Sequence, residues 1–220
     1  MTDTAPDLTA ARSADETFAI LLPGTWAGIP MTDAAAIERR AKEIVKHQVP
    51  RDDQLARMRR VVRDEMIAGA TKAAENGAVL FAVALEILPS VPFPAAVIAF
   101  EQGWPPAAPA AEDGETGRLA RAFPDGTVLE GGSGYVLRRS ELGTETVGET
   151  EFPELSLEYW FPTPAGDLLS LLVSVPMCQD AQLFTAFFDA VADSVRWREP
   201  APAVAAAPTA ESAAPADPTT

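Results

Sequence analysis

Asp167-Leu-Leu-Ser-Leu-Leu-Val-Ser-Val175, followed after a short break by residues 180–197, decides the fold of this 220-residue chain. The first segment is an apolar run of strand length. The second sets Leu183, Phe184, Phe187, Phe188, Val191 and Val195 at helical spacing, which makes one wide apolar stripe on a helix. A strand this apolar needs cover, and a helix this one-sided needs a sheet to cover. The two are therefore expected to pack together, with the rest of the fold built on that strand. The stretch speaks to architecture and carries no catalytic pattern.

Upstream, residues 16–22 alternate Phe18, Ile20 and Leu22 with smaller side chains, a first strand that Pro23-Gly24 ends. Trp26 and Ile29 are expected to pack the following loop onto the core. Thr32 or Asp33 can cap a helix running to about Gln48, with Ile37, Ala41, Ile44 and Val45 on one face and Glu38–Lys42 as an i,i+4 pair. Pro50 stops it. Asp52 or Asp53 then caps a longer helix, in which Leu55, Met58, Val62, Met66, Gly69 and Ala73 recur at helical spacing before Asn76-Gly77. The short link predicts an antiparallel helical hairpin. Its outer faces carry Arg39, Arg40, Lys42, Arg57, Arg59, Arg60 and Arg63.

Residues 78–100 are mostly apolar over a bilayer-spanning length. Glu86 and the cluster Pro89, Pro92 and Pro94 instead predict two strands, 78–87 and 94–100, joined by a Pro-rich turn. Residues 104–117, rich in Pro, Ala, Gly and acid, read as a mobile loop, and 118–123 as a short helix. Three strands follow at 127–130, 135–142 and 151–161, with Gly131-Gly132-Ser133-Gly134 as the first turn. In the last of these, Leu155, Leu157, Tyr159 and Phe161 share one face, opposite Glu154, Ser156, Glu158 and Trp160. This order predicts an α+β fold, a mainly antiparallel β-sheet flanked by an N-terminal helical hairpin and a C-terminal amphipathic helix. Residues 1–15 read as a disordered tail, 16–198 as a single domain and 199–220 as a disordered Ala/Pro-rich tail.

Charge narrows the class of partner. The net charge is −15, yet residues 32–76 hold ten of the seventeen basic residues, so the predicted hairpin is a basic feature on an acidic body. Such a body repels phosphate, which argues against nucleic acid or an anionic membrane as the main partner. The N-terminus lacks the basic and apolar regions of a signal peptide, and the single cysteine forms no internal disulfide. A soluble, cytoplasmic protein is expected.

Chemistry would have to run through few residues. His47 is the sole histidine and falls on the last turn of its helix, four residues after Glu43, where a cation suits the helix dipole. Cys178 falls just before Asp180 at a helix N-terminus, a setting that can lower a thiol pKa. The run 131–134 lacks the Gly-Lys-Ser/Thr of a phosphate loop, and Glu112-Asp113-Gly114-Glu115 lacks the spacing of a calcium loop. No cofactor or metal is called for. Trp104, at a loop mouth, and Trp160, on the polar face of its strand, are aromatic anchors for a partner if exposed and packing residues if covered.

Leu21-Leu-Pro-Gly-Thr-Trp26, Leu157-Glu-Tyr-Trp-Phe-Pro-Thr-Pro164 and the run from Phe184 to Trp197 resemble a group of uncharacterised actinobacterial proteins. The layout resembles the PsbP-like α/β sandwich. That resemblance implies a non-enzymatic adaptor or accessory subunit associated with type VII secretion, and it assigns no functional residue. The expectation is an adaptor, chaperone or immunity-type binder that meets an unidentified protein partner through Arg59, Arg60, Arg63, Trp104 and Trp160. Two alternatives stay open. One is a small-ligand binder or enzyme with a pocket between sheet and helix near Cys178 or His47, and the other is a structural subunit of an oligomeric assembly.

Overall fold

The computed structural model describes residues 8–12, 17–48, 52–110, 114–147 and 150–198. Eleven strands and four helices are present among them, and the predicted α+β class holds. The strands are β1 (Leu8–Arg12), β2 (Phe18–Pro23), β3 (Thr25–Gly28), β4 (Ala78–Leu88), β5 (Val91–Pro92), β6 (Ala96–Gln102), β7 (Thr127–Gly131), β8 (Gly134–Val147), β9 (Thr150–Pro162), β10 (Leu168–Pro176) and β11 (Arg196–Trp197). The helices are α1 (Ala34–Gln48), α2 (Ala56–Glu75), α3 (Gly114–Ala122) and α4 (Ala181–Asp193).

An eight-stranded sheet in the order β3-β4-β6-β10-β9-β8-β7, with β5 beside β4, forms the centre, and β1-β2-β11 make a second, small sheet. Every pairing is antiparallel. The apolar run that opened the sequence reading is β10, in the middle of the large sheet between β6 and β9. Alternation along the strands divides the molecule into layers. On β4, Leu80, Ala82 and Ala84 belong to one core, while Ala78, Phe81, Val83 and Leu85 belong to another. The first core lies under α4 and the small sheet and buries Phe18, Ile20, Leu22, Leu157, Tyr159, Leu171 and Phe188. The second lies under α1 and α2. At the far end of that same face α3 covers a third cluster, Leu119, Leu137 and Leu168.

The closing helix is shorter than the apolar stripe suggested. Asp180 caps it by accepting from the Leu183 N–H at 3.0 Å. It ends at Asp193 rather than continuing to Trp197, because Ser194 is claimed by tertiary contacts. Its hydroxyl donates to the Val191 carbonyl at 2.6 Å and accepts from the Leu21 N–H at 2.9 Å. Arg196 and Trp197 then pair with Ala19 and Phe18 as β11. The stripe is also narrower. Phe188, Val191 and Val195 are buried, Phe184 and Phe187 are half-buried, and Leu183 is exposed.

Four further expectations change. Within the stretch read as an N-terminal tail, Leu8–Arg12 forms β1 and pairs with β2. Trp26 belongs to a strand, not a loop, since β3 pairs with β4. The strands read at 135–142 and 151–161 are longer, and β8 and β9 pair from Leu137–Trp160 out to Val147–Thr150. The segment read as a mobile loop, 104–117, is ordered in its described part: residues 114–117 are the first turn of α3, which starts at Gly114 and not at 118, and residues 104–110 are tied down. The Trp104 Nε1–H donates to the Gly166 carbonyl at 3.0 Å, the Arg118 guanidinium lies 3.9 Å above the Trp104 ring, and Arg118 Nε–H donates to the Ala108 carbonyl at 2.9 Å. The tail read at 199–220, residues 1–7 and 13–16, and Pro50 lie outside the described residues.

Candidate functional site

The helical hairpin forms as predicted and sits on the sheet face built from β3, β4 and β6. Asp33 caps α1 by accepting from the Ala36 N–H at 2.7 Å, and Ala36, Ile37, Ala41, Ile44 and Val45 are buried beneath it. Two side chains tie α1 to the strands: Arg40 Nε–H donates to the Gly28 carbonyl at 3.0 Å, and Gln48 Nε2–H to the Ala84 carbonyl at 3.4 Å. Asp52 caps a short 3-10 turn, Asp53–Leu55, and α2 starts only at Ala56. Asn76 and Gly77 (φ +79°) close α2 and feed β4.

Three of the hairpin's basic side chains are paired with its own acids. Lys42 pairs with Glu38 at 2.5 Å, Arg40 with Glu43 at 3.1 Å and Arg63 with Asp64 at 2.6 Å. The Lys42 ammonium holds the Glu38 carboxyl below its usual range, first through their hydrogen bond. Of the three arginines singled out from sequence, Arg59 donates to the Asp52 carbonyl at 2.9 Å and Arg63 is engaged with Asp64, both half-buried, whereas Arg60 is exposed. Such a surface offers a mixture of signs more than a uniform basic field.

The feature that sequence periodicity did not separate from the core lies on α2. Only Ala70 and Ala73 of this 20-residue helix are fully buried, both in its C-terminal half. Towards the N-terminus and middle of the helix Val62 and Met66 are half-buried, while Met58 is 55% and Val61 40% exposed. Around these two apolar side chains stand the exposed Arg57, Arg60, Asp64 and Glu65, and one helical turn on come the exposed Ala68 and Gly69. An added Cβ at Gly69 meets nothing within 4 Å, so this flank is open.

Trp104 and Trp160 belong elsewhere, in the small cluster under α3. Trp160 stacks on Phe123 with centroids 4.1 Å apart, and its Nε1 is buried without a hydrogen-bond partner. Both rings are half-buried packing residues. The two alternative chemical candidates are separated as well. His47 is exposed on α1, over the second core, while Cys178 is buried in the first core, so the large sheet lies between them. Cys178 donates its N–H to the Pro153 carbonyl at 3.0 Å. Burial pushes its thiol above the ordinary value, and a hydrogen bond with the Asp180 backbone only partly offsets this. The thiol is thus disfavoured as a nucleophile at neutral pH. Native protein should react with an aromatic disulfide reagent at least about tenfold more slowly than urea-unfolded chain, with a rate still climbing above pH 9. Fast labelling that levels off near neutral pH would restore Cys178 as an activated residue.

One polar constellation, in which Tyr159 is buried and Arg138 and Asp189 half-buried, had no signature in the sequence. Tyr159 on β9 and Arg138 on β8 are register partners, and both reach Asp189 of α4. The Tyr159 hydroxyl donates to Asp189 Oδ1 at 2.9 Å, and Arg138 Nη1 pairs with Oδ2. Burial first, then the Asp189 carboxylate, raises the Tyr159 phenol above its ordinary value. The group therefore holds α4 to the sheet as a neutral-phenol hydrogen bond plus an ion pair. One turn further on, at the last residue of α4, the Gly132 N–H donates to Asp193 Oδ1 at 2.6 Å and docks the β7–β8 turn. These groups lock packing.

Among the described residues, no helix is long and apolar enough to cross a membrane, and no group of three or more His, Cys, Asp or Glu is arranged to hold a metal ion. A shallow surface depression is lined by Glu38, Arg39, Lys42, Glu43 and Lys46, along the outside of α1. No protein-family model matches the chain, and no curated protein matches it.

Proposed function

We propose that this chain works by protein–protein contact, as a non-enzymatic accessory or adaptor subunit, and that the outer face of the N-terminal half of α2 is its contact surface. The observation that carries the reading is the exposure of Met58 and Val61 together, ringed by Arg57, Arg60, Asp64 and Glu65. Apolar side chains at the centre of a patch with a charged rim are how protein interfaces are built. The centre supplies affinity through water exclusion, and the rim supplies orientation. Among the described residues, neither Met58 nor Val61 joins a core cluster. A PsbP-like layout would imply the same class of role, but the reading stands on α2.

The test is site-specific photo-crosslinking of the full chain in its cell of origin, with the photoreactive residue at Val61 or, as a control, at Tyr135. Tyr135 is also exposed, but it sits on β8 next to the β7–β8 turn. A discrete adduct from position 61 and none from position 135 is the expected result. Equal yields from both positions, or none from 61, would remove α2 as the contact surface.

A further inference from the structure

Building on the contact surface proposed above, we infer that its occupant is a second copy of this chain, with the two α2 helices packed antiparallel across a two-fold axis close to Val61. The argument starts from the order of charge along the exposed line of the helix. Arg57 and Arg60 precede Val61, and Asp64 and Glu65 follow it. A wholly acidic partner would be repelled by Asp64 and Glu65, and a wholly basic one by Arg57 and Arg60. The complementary surface must present acid, apolar centre and base in the reverse order along one helix length. An antiparallel copy of α2 presents that order.

The helical geometry agrees. At 100° per residue, Arg57, Val61, Asp64 and Ala68 fall within about 60° of one another on the side opposite the buried Ala70 and Ala73. Turning one helix end for end about Val61 puts Val61 against Val61 and brings Arg57 of each copy beside Asp64 of the other, with Arg60 at the outer rim of the same flank. Met58 of each copy then falls level with residue 64 of the other, on the flank that carries Glu65. Residue i meets j and j meets i, so the contact is isologous and closes as a dimer instead of propagating. In a parallel pair, by contrast, arginines would face arginines and carboxylates carboxylates.

The test is sedimentation velocity of the full chain over a wide concentration range. Wild type should pass from monomer to dimer as concentration rises, and Val61→Glu should stay monomeric with an unchanged circular dichroism spectrum. The double variants Arg57→Glu/Arg60→Glu and Asp64→Arg/Glu65→Arg should each weaken self-association by about tenfold or more. Mixed in equal amounts, those two double variants should associate with one another, because one α2 face is then wholly acidic and the other wholly basic. A wild type that is monomeric throughout, a Val61→Glu variant that still dimerises, or a mixture that fails to associate would each overturn the self-pairing. The mass of the Val61 photo-adduct separates the two readings. An adduct with a different protein, from a chain that stays monomeric, ends the self-pairing while leaving α2 as a contact surface. No position-specific adduct ends both.

Discussion

Phe188→Ala should lower the free energy of unfolding by about 3–5 kcal/mol, the range for removing a fully buried phenylalanine ring. Phe188 is wholly inaccessible to solvent in the middle of α4. Its ring stacks on Phe93 at 6.2 Å and meets Phe187 edge-on at 5.0 Å, and Phe93 in turn contacts Phe184 and Trp26. Deleting this ring leaves a void that the neighbouring Phe93 and Phe187 cannot close without breaking their own packing, so both the transfer and the cavity contributions apply. Phe187, half-buried in the same stripe, should cost less when truncated, because part of its ring already faces water. Urea denaturation of the two alanine variants, read at constant m-value, gives the comparison. If Phe188→Ala cost under 1 kcal/mol, α4 would be a peripheral helix and the assignment of the main core to its underside would be wrong.

The strand and helix of residues 167–197 were legible because the two periodicities separate cleanly. A run apolar at successive positions reads as a strand buried on both faces, and spacings of three and four read as a helix. What the pattern could not reveal was where α4 stops. That is decided by Ser194 and by the pairing of Arg196 and Trp197 with Ala19 and Phe18, partners more than 170 residues away in the chain. β3 was missed for a related reason. Four residues are too few to show alternation, and Thr25–Gly28 is a strand because β4 offers a free edge. β1 carries one leucine and two alanines, too little side-chain bulk to show a strand pattern, and it pairs along the open edge of β2.

The candidate surface was half legible. Periodicity placed Met58 in the same stripe as Val62 and Met66, and composition marked the arginines as one basic face. Both readings treat the helix as a uniform cylinder. In the fold α1 has 15 residues against 20 in α2, and the residues of α2 that are fully buried are Ala70 and Ala73. Met58 therefore falls on the flank of the stripe and past most of its cover. The arginines likewise diverge once their neighbours are known: Arg59 turns to Asp52, Arg63 to Asp64, and Arg57 and Arg60 stay in solvent. Tyr159, Arg138 and Asp189 come together from three elements, and no local spacing relates them.

The remaining large effect belongs to Gly24, at the corner where the chain leaves the small sheet and enters the large one. Gly24 adopts φ +89°, a conformation that side-chain-bearing residues rarely take, and β2 ends one residue before it while β3 begins one residue after. A Cβ built there would come within 2.3 Å of the Glu86 carbonyl oxygen and 2.9 Å of the Ile87 Cα. Both are backbone atoms of β4, so no rotamer change relieves the contact. The neighbouring register is already irregular between Thr25 and Trp26, which leaves the corner little freedom to absorb a shift. Gly24→Ala must therefore either distort the β3–β4 pairing or pull the Pro23–Gly24 corner off the sheet. The combined cost of the backbone conformation and the clash should be about 3 kcal/mol or more. Gly143→Ala is the matched control, since a Cβ there meets nothing within 4 Å and the substitution is expected to fall within about 0.5 kcal/mol of wild type. Thermal and urea unfolding of the pair decide the matter. A Gly24→Ala protein as stable as the Gly143→Ala control would mean that the two sheets are not joined through a close backbone crossing at this corner.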